Sequence, residues 1–322
     1  MIPFVAIKLP IYNSENTIID TIDSLLNQTF SDFKLYIYDN CSTDDTQKLI
    51  QTFEDERINY LKHSKNLGWN YNFDYCLNNT GEQYTLIAHG DDIYHPNFIE
   101  YNLHFLKKSS NSVFFSQGIS FRSLKPNLIN FDLDKASLKS FNYFTLFESI
   151  CFNGNFLYCP TLFAKTKVLI EGIGSFNGKE FGGSADLDAW LRLSKNYTIN
   201  LILTPGLFYH RITESQLSTL ERNIPKSFFV KCMLSYLDVE SKSHQTLKDY
   251  ILWHKYFHEV FFNFKLKKDF NLKLIVIKTF SLKVKIIKRI KLILFTILIY
   301  ISKYMPKKIY KVYYKLINSV VR

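Results

Sequence analysis

The first ninety residues alternate short apolar runs with segments whose apolar residues recur at helical spacing. The runs are rich in β-branched and aromatic residues, which is typical of strands, and they cover residues 4–9, 33–38, 58–62 and 84–88. Isoleucines and leucines place one apolar face on a helix predicted over residues 15–28. This alternation predicts βαβ crossovers and therefore an α/β fold with a mostly parallel sheet.

The pattern is mixed beyond residue 110. Apolar segments cover residues 113–121 and 156–164, a further strand is predicted at 198–203, and residues 221–322 read as mostly helical. A second helix is predicted to begin near residues 42–45, where hydroxyls and carboxylates suit the amides of a helix N-terminus. The composition shifts between residues 240 and 265, which indicates a boundary in the second half of the chain.

Polar groups follow each of the four predicted strands. They occupy residues 10–13, 39–40, 66–68 and 91–92. Ligands of open parallel sheets bind beyond the carboxyl ends of the strands. We therefore expect these four loops to converge on one functional edge.

The acidic pair Asp91 and Asp92 has three plausible uses, which are cation binding, acid-base chemistry and helix capping. Mg²⁺ and Mn²⁺ bind through one or two carboxylates together with substrate phosphates. Capping is the alternative, because Pro96 suits the first turn of a helix predicted over residues 98–106. The pair alone does not decide between these uses.

Five short motifs follow one another along the first hundred residues: PIYNSE at residues 10–15, DNCSTD at 39–44, NLG at 66–68, GEQY at 81–84 and the acidic pair. Their order resembles the family 2 nucleotide-sugar glycosyltransferases with the GT-A fold. The resemblance implies a Rossmann-like, mixed but mostly parallel sheet flanked by helices. It also implies a catalytic domain over residues 1–220, with a nucleotide-binding half at 1–110 and an acceptor half at 111–220.

The resemblance implies a nucleoside diphosphate-sugar lying across the strand ends. Tyr12 would pack on the base, Glu15 would help to hold the nucleoside, and Asp39 would accept a hydrogen bond from a uracil-type ring. The alternatives are ordinary packing for Tyr12 and a turn role for Asp39. The full implied binding set is Pro10, Tyr12, Glu15, Asp39, Asn66, Asp91 and Arg211.

The acidic motif departs from the family in one position. Many relatives have Asp-x-Asp-Asp, whereas this chain has His89, Gly90, Asp91 and Asp92. Asp91 matches the carboxylate expected at a Mn²⁺ or Mg²⁺ ion. By resemblance, the missing Asp would lie near the ribose, and His89 either replaces that contact or packs locally.

A later segment supplies the candidate catalytic base. By resemblance, Asp186 matches the Asp that opens a helix and deprotonates the acceptor, and Gly182 and Gly183 before it allow a substrate to approach the backbone. Ala185 replaces the family's usual Glu, and Asp188 is therefore the alternative candidate for the base. The alternative is that Asp186 only caps the helix.

The segment at residues 209–212, with Ser215 and Ser218, resembles the family's loop over the diphosphate. Arg211 would pair with phosphate oxygens. His210 would complete the metal site with Asp91, or it would simply be hydrogen-bonded.

The positive charge of the chain is confined to its end. Residues 255–322 hold 17 Lys or Arg against two acids, a net +15 within a total of +11, so residues 1–254 carry −4. Lysines alternate with large apolar residues over 265–322, where the longest uncharged run has 11 residues, short of the ~20 that span a bilayer. Residues 221–322 are therefore predicted as a helical, basic amphipathic region on an anionic membrane surface, with nucleic-acid binding and a solvated bundle as alternatives.

The remaining composition favours a folded intracellular protein. The chain is 47% apolar, and its five cysteines are scattered without a C-x-x-C pair, which fits neither a disulfide framework nor a zinc site. The first residues lack the features of a secretory signal. The expected location is the cytoplasm, peripheral on the inner face of the cell membrane.

The function expected from these observations is metal-dependent, inverting transfer of a sugar from a nucleoside diphosphate-sugar, of UDP type, to a hydroxyl of a cell-envelope glycan or lipid-linked acceptor. No nucleic-acid partner is expected. A nucleotidyltransferase acting on sugar phosphates is one alternative, but it should show a Gly-rich basic loop after the first strand, where this chain has PIYNSE. A noncatalytic membrane or nucleic-acid-binding relative is the other.

Overall fold

The structure is a computed structural model that describes residues 4–79, 81–109, 111–122, 126–129, 136–212, 227–237, 247–249 and 251–252. Of the membrane-associating region predicted at 221–322, the structure describes only residues 227–237, 247–249 and 251–252, and Ser215 and Ser218 lie outside the described residues. Among the helices that are described, none has the length and apolar character needed to cross a bilayer.

The described strands and helices follow the predicted alternation through the first half of the chain. The strands are β1 (Val5–Ile11), β2 (Phe33–Asp39), β3 (Ile58–Lys62), β4 (Tyr84–Ile87), β5 (Ile93–Tyr94), β6 (Ser112–Ser116), β7 (Gly118–Phe121), β8 (Leu138–Phe141), β9 (Phe163–Lys165), β10 (Thr198–Ile202) and β11 (Phe208–Arg211). The helices are α1 (Ile18–Leu26), α2 (Thr46–Ile50), α3 (Trp69–Asn78), α4 (Phe98–Lys108), α5 (Tyr143–Asn153), α6 (Thr166–Ile173), α7 (Gly178–Phe181), α8 (Ala185–Ser194) and α9 (Ser227–Ser235). Short 3-10 helices cover Cys159–Thr161 and Gly182–Ser184.

The chain divides into two compact units. The first comprises residues 1–150 and 155–216, and the second comprises residues 151–154 and 217–322. Within the second unit, α9 buries Phe229, Val230, Cys232 and Met233. The boundary predicted at residue 220 stays a prediction.

The first unit is built on an eight-stranded sheet in the order β3-β2-β1-β4-β9-β6-β10-β8. The β3-β2-β1-β4 strands are mutually parallel, and β6 and β10 form a second parallel pair. β9 joins these two groups by antiparallel pairing with both β4 and β6. The predicted mixed, mostly parallel GT-A type sheet flanked by helices is confirmed, and a separate three-stranded sheet has the order β5-β11-β7.

The register of the parallel strands sets the position of the loops that follow them. Ile11 pairs with Asp39, and Asp39 pairs with Lys62, so β1, β2 and β3 end at the same level. All seven residues of β1 are buried, because this strand is covered on both faces. The loops after these strands are therefore held against each other by a rigid central sheet.

Two predicted helices begin later than their sequence patterns suggested. α1 starts at Ile18 rather than at residue 15, because residues 15–17 form a turn in which the Ile18 amide donates to the Ser14 carbonyl over 2.9 Å. α2 starts at Thr46 rather than near residue 42. The polar residues before Thr46 instead hold the loop after β2, as described next.

Candidate functional site

The loops after β1 and β2 are hydrogen-bonded into one surface. The Asn13 amide donates to Ser42 Oγ over 2.9 Å, and Asn13 Oδ1 accepts from the Thr43 amide over 2.9 Å. Asn13 has a left-handed backbone with φ 49°, a region that Asn tolerates better than most residues. The Ser14 amide adds a bond to Thr46 Oγ1 over 2.8 Å.

Glu15 belongs to the same set of contacts. Its carboxylate accepts from the Asp45 amide over 3.0 Å, and its own amide donates to Asp44 Oδ2 over 3.1 Å. Glu15, which was predicted to bind the nucleoside, thus lies where the loops after β1 and β2 meet. Its carboxylate is bonded to Asp45, the residue directly before α2.

Asp39 is fully buried at the end of β2. Its Oδ1 accepts from the Ser42 amide over 2.7 Å, and its Oδ2 accepts from the Tyr60 hydroxyl over 2.7 Å. Burial, followed by the bond to Asp39, raises the pKa of Tyr60. Asp39 therefore shapes the loop in this arrangement, whereas Tyr12, with 46% of its surface exposed, is open to a stacking ligand.

Asn66 extends the edge to the loop after β3. Its Oδ1 accepts from Asn40 Nδ2 over 3.0 Å and from the Gly68 amide over 2.8 Å. Asn40 Oδ1 in turn accepts from the Leu67 amide over 2.9 Å. Gly68 has φ 86°, which a side chain would strain. The three loops therefore form one interlocked surface.

The acidic loop, residues 89–92, lies directly against the end of β1. A Cβ atom at Gly90 would lie 2.8 Å from Ile11 Cγ2 and 3.3 Å from Ser14 Oγ. Only glycine therefore allows the acidic loop to approach β1 this closely.

Three polar residues, one directly before α1 and two on it, form hydrogen bonds to the acidic loop and to Tyr94 after it. Thr17 Oγ1 donates to the Gly90 carbonyl over 2.7 Å, and Thr21 Oγ1 donates to the Asp92 carbonyl over 2.8 Å. Ser24 Oγ accepts from the Tyr94 amide over 3.2 Å. The apolar face that predicted this helix does not include these residues. The signal for them is the spacing of three and four between polar residues along the neighbouring face.

Asp92 is fully buried, and within the described part of the chain only one of its two carboxylate oxygens has a hydrogen-bond partner. Its Oδ1 accepts from the Arg211 amide and from His210 Nδ1, each over 2.9 Å. Its Oδ2 is buried without a hydrogen-bond partner. Burial raises the pKa of this carboxyl, and the bond from His210 opposes that shift.

His89, Asp91 and Asp92 form a candidate cation site. They offer one ligand atom each, and these atoms lie within 4.8 Å of one another. His89 Nε2 is buried without a hydrogen-bond partner, and the ring lies edge-on to Phe73 with 5.4 Å between the ring centres. Burial lowers the pKa of His89 to about 4. The donor set and its two unpartnered buried atoms fit a divalent cation.

Arg211 contacts α1 and the backbone of the acidic loop. Its Nη2 contacts Asp20 Oδ2 at 2.6 Å, and its Nε donates to the Asp91 carbonyl over 3.1 Å. The guanidinium carbon lies 4.8 Å from the ring centre of Phe121. The predicted phosphate-binding arginine is thus held by a carboxylate, a carbonyl and a ring, and it positions the acidic loop.

The two aspartates of α8 have different surroundings. Asp188 is buried, and its Oδ2 accepts from Asn177 Nδ2 over 2.7 Å and from Arg192 Nη2 over 2.8 Å. Asp186 is half-buried in the first turn, and its Oδ2 accepts from Asn155 Nδ2 over 3.3 Å. The cap position belongs to Ser184. Asp188 is therefore fixed by hydrogen bonds within the fold, whereas Asp186 contacts the loop that contains Asn155.

Asp186 and the acidic loop are linked through residues 155–159. Burial raises the pKa of the Cys159 thiol, and the charges of Asp186 and Asp92 both add to that shift. A cavity of about 380 Å³ lies beside this group, lined in part by Gln117, Gly118, Asn155 and Tyr158. Asn155 contacts Asp186, and the Tyr158 ring lies 5.3 Å from that of His210. The predicted base, the cavity and the acidic loop thus share one region of the first unit.

Asn155, Tyr158 and Cys159 were not predicted as site residues. Tyr158 and Cys159 lie in a segment that the sequence presents only as an apolar stretch from 156 to 164, and Asn155 directly precedes it. The structure resolves this stretch into a loop, a 3-10 helix and the start of β9. Their position follows from the insertion of β9 between β4 and β6, a pairing that local spacing does not encode.

Comparison with known families agrees with this geometry. The model of "Glycosyl transferase family 2" matches residues 7–164, which include β1 to β4, the acidic loop and β9. Over those residues, the chain belongs to glycosyl transferase family 2.

The similar curated proteins of this family come from bacteria and archaea. An uncharacterized glycosyltransferase of Rickettsia typhi is 31% identical over 109 residues, which is 34% of each chain. The putative teichuronic acid biosynthesis glycosyltransferase TuaG of Bacillus subtilis is 31% identical over 34% of this chain and 44% of its own. An uncharacterized glycosyltransferase of Methanocaldococcus jannaschii is 23% identical over 81% of this chain and 86% of its own. The chain thus spans about a third of the length of several curated relatives that it matches.

Solved structures share the fold of the family 2 chain at low sequence identity. S. aureus TarS 1-349 in complex with UDP superimposes with a TM-score of 0.57 at 14% identity, over 98% of this chain and 87% of that one. The mannosyltransferase PcManGT from Pyrobaculum calidifontis, in complex with GDP-Man and Mn²⁺, gives 0.55 at 13% identity, over 100% and 86%.

Proposed function

We propose that the protein is a glycosyltransferase that moves a sugar from a nucleoside diphosphate-sugar to a hydroxyl of a cell-envelope glycan. The observation that carries this proposal is a cavity whose lining residues Asn155 and Tyr158 contact Asp186 and His210. His210 in turn is bonded to Asp92 of the acidic loop. One carboxylate near the cation site and one cavity for an acceptor are what single-step, inverting transfer requires.

The donor is proposed from the edge and from the structural neighbours. Tyr12 is exposed at the end of β1, and a base stacked on it would lie beside the surface built by Asn13, Glu15 and Asn66. TarS is described with UDP and with UDP-GlcNAc, and PcManGT with GDP-Man. We favour a UDP-sugar, with Asp39 and Pro10 as parts of the nucleotide site.

The acidic loop would hold a divalent cation through Asp91 and Asp92. When bound, such an ion supplies Lewis-acid neutralisation of the charge on a leaving diphosphate. Arg211 and His210 hold the loop from behind, since both donate to Asp92 and Arg211 also donates to the Asp91 carbonyl. Their proposed role is to keep these carboxylates in place.

Asp186 is proposed as the general base. It would accept the proton of the acceptor hydroxyl while the oxygen attacks the sugar carbon opposite the diphosphate, and the bond to the diphosphate breaks in the same step. A positioned base gives a rate gain of about 10²- to 10⁴-fold. Asn155, which donates to Asp186, would orient its carboxylate.

The acceptor class and the location are proposed from relatives and charge. TuaG is named as a putative teichuronic acid biosynthesis glycosyltransferase, and on that likeness we propose a glycan as the acceptor. The basic, apolar composition of residues 265–322 suits an anionic membrane surface, where a lipid-linked acceptor would be presented.

The test is a product assay with the purified chain, UDP-GlcNAc or GDP-mannose, Mn²⁺ and a panel of envelope glycans. Transfer releases a nucleoside diphosphate, whereas the alternative nucleotidyltransferase reaction, run with a nucleoside triphosphate and a sugar phosphate, releases pyrophosphate. We expect metal-dependent release of UDP or GDP with the sugar on the glycan, and Asp91→Asn should abolish it. Pyrophosphate as the product would overturn the proposal.

A further inference from the structure

We propose that His89 is a nitrogen ligand of the cation site, so that His89, Asp91 and Asp92 together select Mn²⁺ over Mg²⁺. This inference rests on the proposed function for the use of the ion, but its test measures binding and coordination alone. It differs from the ligand pair Asp91 and His210 that the sequence predicted.

The first support is the state of Asp92. Donors from Arg211 and His210 occupy Oδ1, while Oδ2 is buried with no hydrogen-bond partner. A buried carboxylate oxygen without a partner loses its hydration and gains nothing in return. A cation beside Oδ2 would compensate that loss.

The second support is the state of His89. Its Nε2 is likewise buried and unpartnered. One ring nitrogen of His89 and one carboxylate oxygen each of Asp91 and Asp92 form a group within 4.8 Å. Atoms bound to one ion at about 2.1 Å lie at most about 4.2 Å apart, so a small contraction would close the group around an ion. The edge-on contact with Phe73 holds the ring in that direction.

The contacts of His210 give it a different role. Its Nδ1 is used in the 2.9 Å bond to Asp92 Oδ1, on the side of the carboxylate opposite the unpartnered oxygen. A histidine bonded to a metal-binding carboxylate orients that ligand. We therefore assign His89 to the ion and His210 to the support of Asp92.

A nitrogen ligand changes which ions the site prefers. Mg²⁺ requires near-ideal octahedral geometry and oxygen ligands, whereas transition ions, Mn²⁺ the least strongly of them, also bind nitrogen. A site with an imidazole ligand should therefore bind Mg²⁺ poorly in comparison with Mn²⁺. Mn²⁺, which is present in the PcManGT structure, is the transition ion used as the probe.

The test uses the full chain, stripped with EDTA and titrated with Mn²⁺ in the presence of UDP. Electron paramagnetic resonance measures free Mn²⁺, and electron spin echo modulation detects a coordinated nitrogen-14 nucleus. We expect nitrogen modulation in the wild type, and its loss in His89→Gln with a fall in Mn²⁺ affinity of at least 10- to 100-fold. His104→Gln, a histidine outside the site that contacts Lys108, should leave both unchanged.

His210→Gln separates the two assignments. We expect it to weaken Mn²⁺ binding while the nitrogen modulation stays. Modulation that persists in His89→Gln and disappears in His210→Gln would overturn the proposal, as would a wild-type complex without nitrogen modulation or with no bound Mn²⁺.

His89→Asp provides a second reading should the glutamine variant fold poorly. Replacing the imidazole by a carboxylate should lower the ratio of Mn²⁺ to Mg²⁺ affinity at least tenfold, and an unchanged ratio would contradict the proposal. Nitrogen-coordinated Mn²⁺ without any sugar transfer would leave this inference standing and defeat the proposed function. Sugar transfer with an ion that has only oxygen ligands would support the proposed function and overturn this inference.

Discussion

The loops after β1, β2 and β3 differ from the acidic loop in what their polar side chains bind. Asn13, Asp39 and Asn66 have their oxygen atoms bonded to amides or hydroxyls of the neighbouring loops. His89 and Asp92 instead keep one buried atom each without a partner. The polar oxygens of the first region are satisfied within the chain, so this region can offer a rigid surface to a nucleotide. The unpartnered atoms of the second region fit a bound cation.

The same contrast occurs within α8. Asp188 is fixed by Asn177 and Arg192, while Asp186, two residues earlier, is half-buried beside Asn155. Within α8, one aspartate thus stabilises the fold, and the other lies beside the cavity that Asn155 lines. Four variants or conditions test this division, beginning with the largest expected effect on stability.

Asp188→Asn should destabilise the protein without acting on the chemistry. Its carboxylate is buried and holds Arg192 at 2.8 Å, and breaking a buried pair leaves the other charge uncompensated. Because Arg192 is partly exposed, we expect a loss of about 2–4 kcal/mol in the free energy of unfolding, measured by urea denaturation. A loss below about 1 kcal/mol, with transfer abolished, would indicate that Asp188 is the base and Asp186 the structural residue.

Asn40→Ala tests the interlocked loops. It removes the acceptor of the Leu67 amide and the donor to Asn66, at a side chain that is 3% exposed. We expect a loss of about 1–3 kcal/mol in stability, together with weaker UDP binding by calorimetry. Mn²⁺ coordination should not change, since the acidic loop has separate supports; a loss of coordination would break the comparison of the two regions.

Gly90→Ala tests the close approach of the acidic loop to β1. The added methyl would lie 2.8 Å from Ile11 Cγ2, and overpacking of this kind costs about 1–3 kcal/mol. Gly81→Ala is the matched control, because a Cβ atom there meets nothing within 4 Å. Thermal unfolding should show a fall in melting temperature for Gly90→Ala alone, and equal melting temperatures would disprove the steric account.

The pH dependence of stability tests Lys8, a fully buried lysine in β1. Burial lowers its pKa to about 8, against the nearby charge of Glu82. Between pH 8 and 10 the folded state gives up this proton before the unfolded state does, so Lys8 should add about 1–2 kcal/mol to stability as the pH rises.

Lys8→Met isolates that contribution, because the other titrating groups are common to both proteins. The difference in unfolding free energy between wild type and variant should therefore change with pH over this window. A pH-independent difference would mean that Lys8 has an ordinary pKa.

The sequence was sufficient to predict those features that are encoded locally. The runs that became β1 to β4 and β10, and the loops at their ends, follow from apolar spacing and from the rule for parallel sheets. Arg211 could not be placed in this way. Its partner Asp20 is 191 positions away in the chain, and only the pairing of β11 with β5 brings the two together.

The acidic motif shows the same limit. The sequence identified Asp91 as a candidate ligand and left Asp92 and His89 open between several roles. The roles now argued for these residues depend on which atoms are buried and unpartnered, and hence on packing by α1, α3 and β11. Spacing along the chain contains no information about that packing.

The most direct test of the central claim is transfer by Asp186→Asn, with UDP affinity measured on the same preparation. The account predicts that release of nucleoside diphosphate in the presence of acceptor falls about 10²- to 10⁴-fold, while UDP affinity and melting temperature stay near the wild-type values. Unchanged transfer at full UDP affinity would show that Asp186 is not the base, and would contradict the claim that α8 and the acidic loop form one transfer site.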